Sequence, residues 1–262
     1  MRHYKILYEE SKELSDGTFV YRIEATQDNI HVSEGTKGGF IADSGNLVGE
    51  NSWVDGEAIV SSRAIVSGNG FVGDTAEVSG NATVDDHGKV TGDARITGKA
   101  HVSDHTEVTG NCIMKENSQI RGNTILKSDV VLGGKALIQE GTWTRTPFHA
   151  PFGKNNYYIS ECRPGFVRVG CVENSIKGWL YNGWKDVLNK NGPNWTVKFL
   201  DLYYKLVPMN ILEPLMKELF EESQKPGFEI PNIPFMFEAK KKHSAWLKSQ
   251  GMEDYTEKYT YE

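Results

Sequence analysis

The sequence predicts a mainly β protein built around a parallel β-solenoid, on three observations. An apolar, mostly aliphatic residue occupies every sixth position from Val48 to Ile138, through Val54, Val60, Val66, Val72 and onward without interruption. Two positions before nearly every one stands a small residue, such as Ala58, Ala64, Gly70, Ala76, Ala82 or Ala94. Glycine with Asn or Asp commonly follows, as in Val78-Ser79-Gly80-Asn81. A six-residue unit cannot bury an apolar face alone, so it must stack on copies of itself.

Strand alternation points the aliphatic residue and the small residue before it inward, and the residue between them outward. Glycine and Asn or Asp supply the corners, through positive φ or side-chain turn bonds. Three sides per coil make residues eighteen apart neighbours at about one strand spacing, roughly 4.8 Å. The column Asn69, His87, His105 and Asn123 then lies along one corner.

The flanking segments follow other patterns. Residues 1–47 carry two strand-like runs, from Tyr4 and from Thr18, around an Asp16-Gly17 turn, and are expected to cap the solenoid's open end. Residues 48–143 form the solenoid. Residues 144–192 are expected to form a small domain, with a hairpin around Arg163-Pro164 and a helix capped by Asn174 or Ser175. Residues 193–262 are expected to be a helical C-terminal region, with segments near 195–206, 210–223 and 234–249.

Composition excludes some classes of function. A net charge of −6 argues against nonspecific binding to nucleic acid, which depends on neutralising phosphates. No run approaches the ~18 apolar residues of a membrane span, and the N-terminus has no secretion core. Cys112 occupies an inward small position and reads as a buried thiol, while Cys162 and Cys171 could face each other across the hairpin.

The repeat resembles the hexapeptide-repeat left-handed parallel β-helix family, whose best-known members are trimeric bacterial acyltransferases. Residues 20–60 are also similar to a group of uncharacterised bacterial and prophage β-solenoid proteins. That resemblance rests on Tyr21, Arg22, Ile23, Ala25, Gly38, Gly39, Phe40, Asn46, Leu47, Trp53 and Val54. Val169-Gly170-Cys171 and Trp179 resemble the small domain often appended to that group. The resemblance implies a left-handed coil, a homotrimer, a phage or prophage origin, and a cytoplasmic or virion-associated location. It brings no established chemistry.

Three functions follow as expectations. The leading one is a non-enzymatic structural or interaction protein, a rigid scaffold whose C-terminal region engages a protein partner. The alternative is a small-molecule, nucleotide-like binder such as an anti-defence sponge, with Arg63, Lys99 and Lys135 along a cationic corner. Least favoured is an acyltransferase with His87, His101 or His105 as general base. The hexads run unbroken, whereas those enzymes close an inserted loop over the acyl donor. No cofactor or metal is expected, because His101 and His105, four apart in a β-coil, belong to different parts of it. Outward positions are polar in the middle rungs and apolar at both ends: Trp53, Ile59, Ile65 and Phe71, then Ile113, Ile125, Val131, Leu137 and Trp143. Apolar outward residues need cover, from residues 1–47 at the near end and 144–190 at the far end, or from an oligomer contact at either.

Overall fold

The computed structural model describes residues 2–152, 157–170, 172–175 and 178–179. The C-terminal helices expected from sequence lie outside these residues. The chain divides into two compact units, one of Met1–Pro151 with Tyr158–Cys171, the other of Phe152–Tyr157 with Val172–Glu262.

The first unit is a parallel β-solenoid. Each rung contributes a two-residue strand to each of three faces, and strands pair in parallel with those eighteen residues away, as Lys89 with Glu107 and Val90 with Val108. Face 1 stacks Ile59–Val60, Glu77–Val78, Arg95–Ile96, Ile113–Met114 and Val131–Leu132. Face 2 stacks Trp53–Val54, Phe71–Val72, Lys89–Val90 and Glu107–Val108. Face 3 stacks Ile65–Val66, Thr83–Val84 and His101–Val102. The strands Gln119–Leu126 and Leu137–Trp143 wrap from face 3 to face 2 without a break.

The core is the predicted one. Val54, Val60, Val66, Val72, Val78, Val84, Val90 and Ile96 are fully buried, as are Ala58, Ala64, Ala76, Ala82, Ala94 and Ala100 beside them. Burying each branched side chain contributes about 1.5–3 kcal/mol, set against the entropy of ordering the chain. The alanines leave room for those branches within a narrow coil.

From Leu47 to Leu132 the corners depend on a left-handed residue two positions after each inward apolar residue. Glycine fills many of them, but Ser62, Asp74, Asp86, Asp104, Glu116 and Ser128 also take φ between 51° and 67°. A left-handed non-glycine residue costs about 1–2 kcal/mol. Three of the acids offset that cost with a charge-assisted bond to the next rung. Asp74 accepts from the Gly92 amide at 2.9 Å, Asp104 from Gly122 at 2.8 Å, and Glu116 from Gly134.

At the N-terminal end β1 (Tyr4–Glu13), β2 (Phe19–Ala25) and β3 (Lys37–Ile41) extend face 1. β1 and β2 pair antiparallel, as do β2 and β3, whereas β3 pairs in parallel with Ile59–Val60. The first coil therefore starts inside the segment read as cap. Phe40 pairs with Ile59 and Leu47 with Val66, both nineteen positions on, so this coil holds one extra residue. Val48, expected to open the inward series, is 47% exposed, and Leu47 takes the inward place. An added residue flips side-chain parity, and the apolar pair Leu47-Val48 hides the slip in the sequence.

A matching slip closes the far end. Ile120 pairs with Ile138, eighteen on, but Leu126 pairs with Trp143, seventeen on. Trp143, expected to face outward, is therefore buried opposite inward Leu126. Beyond it the strands His149–Phe152, Tyr157–Arg163 and Phe166–Val169 lie in that order in a sheet, the last two joined at Pro164-Gly165. Tyr158 donates to the Gly133 carbonyl at 3.1 Å, and Arg168 to Gln139 at 3.1 Å, anchoring this sheet to the last rungs. In the second unit Val172–Ser175 is a strand, and the Gly178 amide donates to Ser175 Oγ at 2.8 Å.

Candidate functional site

The predicted histidines fall into two groups. His87 and His105 stack along the corner between faces 3 and 2, ring centroids 4.6 Å apart and planes within 8°. The column continues through Asn69, whose Nδ2 donates to His87 Nε2 at 2.9 Å, and through Asn51, whose amide donates to Asn69 Oδ1 at 3.0 Å. His87 Nε2 is the acceptor of that bond.

His101 lies on face 3, apart from that column. Its Nε2 sits 3.0 Å from both carboxylate oxygens of Asp85, the strand-end residue of the preceding rung. An ionised carboxylate only accepts, so Nε2 carries the proton, and the pair fixes the ring's orientation. The arrangement has the donor-acceptor part of an acid-base pair, and its neighbours on the face are Thr83 and Gln119.

Arg63, Lys99 and Lys135 line one exposed corner with Asn81 and Asn117 between them. Successive cations stand two rungs apart, about 9.6 Å at the strand spacing. Among the described residues no group of three or more His, Cys, Asp or Glu side chains is placed to hold a metal ion.

The apolar outward residues divide by cover. Trp53 is fully buried beneath His3, whose Nε2 donates to the Ser52 carbonyl at 2.7 Å and whose ring lies 6.2 Å from the indole. Phe71 packs against His31, ring centroids 5.2 Å apart, and His31 Nε2 donates to the Asn69 carbonyl at 3.0 Å. Ile59, Ile125, Val131 and Leu137 are half-buried, while Ile65 is 40% and Ile113 36% exposed.

Among the described residues, two of the hollows on the solenoid surface have lining worth naming. One, of about 520 Å³, lies between the β1–β2 hairpin tip (Lys12 to Asp16) and Ile59, Ser61 and Glu77 on face 1. The other, of about 530 Å³, is a groove on face 2 between Ile30 and His31 on one side and Phe71, His87 and Lys89 on the other. Ile30 is 61% exposed at its rim. Sequence reasoning missed this groove, because the loop bearing Ile30 and His31 lies in the cap and no spacing rule links it to Phe71.

A buried carboxylate was also missed. Glu161 is 1% exposed and receives two hydrogen bonds from Arg145, both 2.8 Å. The thiol of Cys112, buried as expected, is pushed up from its ordinary pKa by loss of solvent. No family model and no curated protein matches the chain.

Proposed function

We propose that this protein is a non-enzymatic scaffold of the hexapeptide-repeat, left-handed β-helix type, self-associating and encoded by a phage or prophage. The solenoid is the rigid body, and the C-terminal region engages a protein partner, in the cytoplasm or on a virion. The observation that carries this reading is the pattern of outward residues. Ile65 and Ile113 stay exposed on rungs whose backbone is hydrogen-bonded on both sides, as Ile113 N donates to the Val130 carbonyl at 2.8 Å. Apolar side chains held this firmly meet a partner with little loss of conformational entropy. The imidazoles, by contrast, are tied to one another, to Asn69 and to Asp85.

Native mass spectrometry of the purified protein, read against its denatured mass, tests the reading. A whole multiple of the 29.3 kDa chain, with nothing added, supports it. A retained small molecule of several hundred daltons per chain overturns it in favour of a ligand-binding protein.

A further inference from the structure

The outward column of face 2 reads Phe71, Lys89, Glu107, Ile125 from one rung to the next. Lys89 and Glu107 form an ion pair at 3.8 Å, with side chains 50% and 39% exposed. Reversed, the order becomes apolar, acid, base, apolar, which complements the original at every rung. We propose that face 2 is a self-complementary interface on which two copies pack antiparallel, about a two-fold axis along the strand direction between Lys89 and Glu107. This rests on the scaffold reading, and it specifies a pair where the family resemblance implies a trimer.

Such an axis reverses the rung order and keeps each corner opposite its own counterpart. Lys89 then faces Glu107 of the other copy, twice, across sheets packed about 10 Å apart. Phe71 faces Ile125 twice. The corner columns follow the same rule: His87 faces His105, Asp93 faces Asn111, and Thr75 faces Asp129. On the face itself no two acids and no two lysines meet; the one like-charged juxtaposition, Asp86 with Asp104, falls in the corner one position before His87 and His105. An axis along the rod would set Lys89 on Lys89 and Glu107 on Glu107, and like charges in an interface cost several kcal/mol.

The groove on face 2 supplies the fit. Its apolar residues are Phe71 and the exposed Ile30, and in the antiparallel pair Ile125 of the second copy sits over Phe71. Isologous contacts of this kind close on themselves and form the commonest oligomers. Face 1 carries a similar order, Ile59, Glu77, Arg95 and Ile113, but the hairpin tip stands over its acidic rung as well as its first apolar one, whereas on face 2 the cap reaches Trp53 and part of Phe71 and leaves both charges, Lys89 and Glu107, open. Face 3 presents Ile65, Thr83, His101, Gln119 and Leu137, and has no charge order to match.

Charge exchange tests the proposal in the full chain. Wild type is expected at twice the 29.3 kDa chain mass by light scattering. Glu107→Lys and Lys89→Glu each place like charges across the interface, twice, and should weaken association by about 100-fold or more. Mixed in equal amounts, these two variants restore both facing pairs and should return to the doubled mass with one chain of each. The double exchange K89E/E107K keeps the in-chain ion pair, so folding is spared. It should pair with itself but not with wild type. A wild-type mass of one or three chains overturns the proposal, as does either single variant that keeps the doubled mass. A three-chain mass leaves the scaffold reading standing and removes only this face.

Discussion

His87 and His105 stand eighteen residues apart and stack with centroids 4.6 Å apart and planes within 8°. That distance is the rung spacing itself, so the corner positions of successive coils share one geometry.

A first prediction follows from the openness of that corner. His87→Asn and His105→Asn extend the asparagine ladder already present at Asn51 and Asn69, and surface changes of this kind fall within about 0.5 kcal/mol. Denaturant unfolding of either variant should match wild type.

The core behaves oppositely. Ile96 is fully buried beside Ala94, and Ile96→Ala leaves a cavity that the neighbouring rungs cannot close. The expected loss is about 2–5 kcal/mol. Ala94→Leu should also destabilise, by about 1–3 kcal/mol, because the small inward position has no spare volume. Chemical denaturation of both variants checks the pair.

Arg145 and Glu161 give a third prediction. Arg145→Ala strands a carboxylate that is 1% exposed, and removing one partner of a buried pair costs up to about 3–5 kcal/mol. Arg145 is itself partly solvated, so about 2–3 kcal/mol is expected. The double variant Arg145→Ala with Glu161→Gln should recover part of the loss, measured as a double-mutant cycle.

Glu57 sets a pH dependence at the cap. Hydrogen bonds from Lys12 and Arg22 hold its carboxyl below the usual value of 4.5. A carboxylate with depressed pKa stabilises the fold above the unfolded-state pKa, and that contribution fades as pH falls through the folded-state value. The melting temperature of Glu57→Gln should therefore trail wild type slightly at pH 7 and converge with it as the pH falls through the folded-state pKa. The group is exposed, so under about 1 kcal/mol is at stake.

Cys112 supplies a chemical probe. Its thiol is buried and its pKa raised, and the thiolate is the reactive form. Alkylation at pH 8, located by peptide mass spectrometry, should leave Cys112 unmodified in the native protein and label it after unfolding.

The coil was legible because one rule, a small and an aliphatic residue inward, repeats at every strand. The ends were not. Leu47-Val48 supplies two apolar residues where one is needed, and corner length leaves no mark on apolar periodicity. Trp143 turned inward for the same reason. Ser62 and Glu116 take left-handed corners that the reading of glycine with Asn or Asp did not cover. The polar pairs were hidden differently. Asp85 with His101 and Arg145 with Glu161 are each sixteen residues apart, a spacing set by how neighbouring strands and corners lie, which no hexad count contains.

The eighteen-residue pairing gives the middle of the rod a built-in gearing. Removing a whole coil, residues 82–99 for instance, joins Asn81 to Ala100 in phase and shortens the rod by about 4.8 Å with each face still continuous. Removing a single hexad keeps every aliphatic residue inward, so the core survives. Everything downstream, however, is turned by about a third of a revolution about the long axis. Insertions and deletions in this segment therefore act on two settings, reach and bearing, and only multiples of eighteen change one without the other.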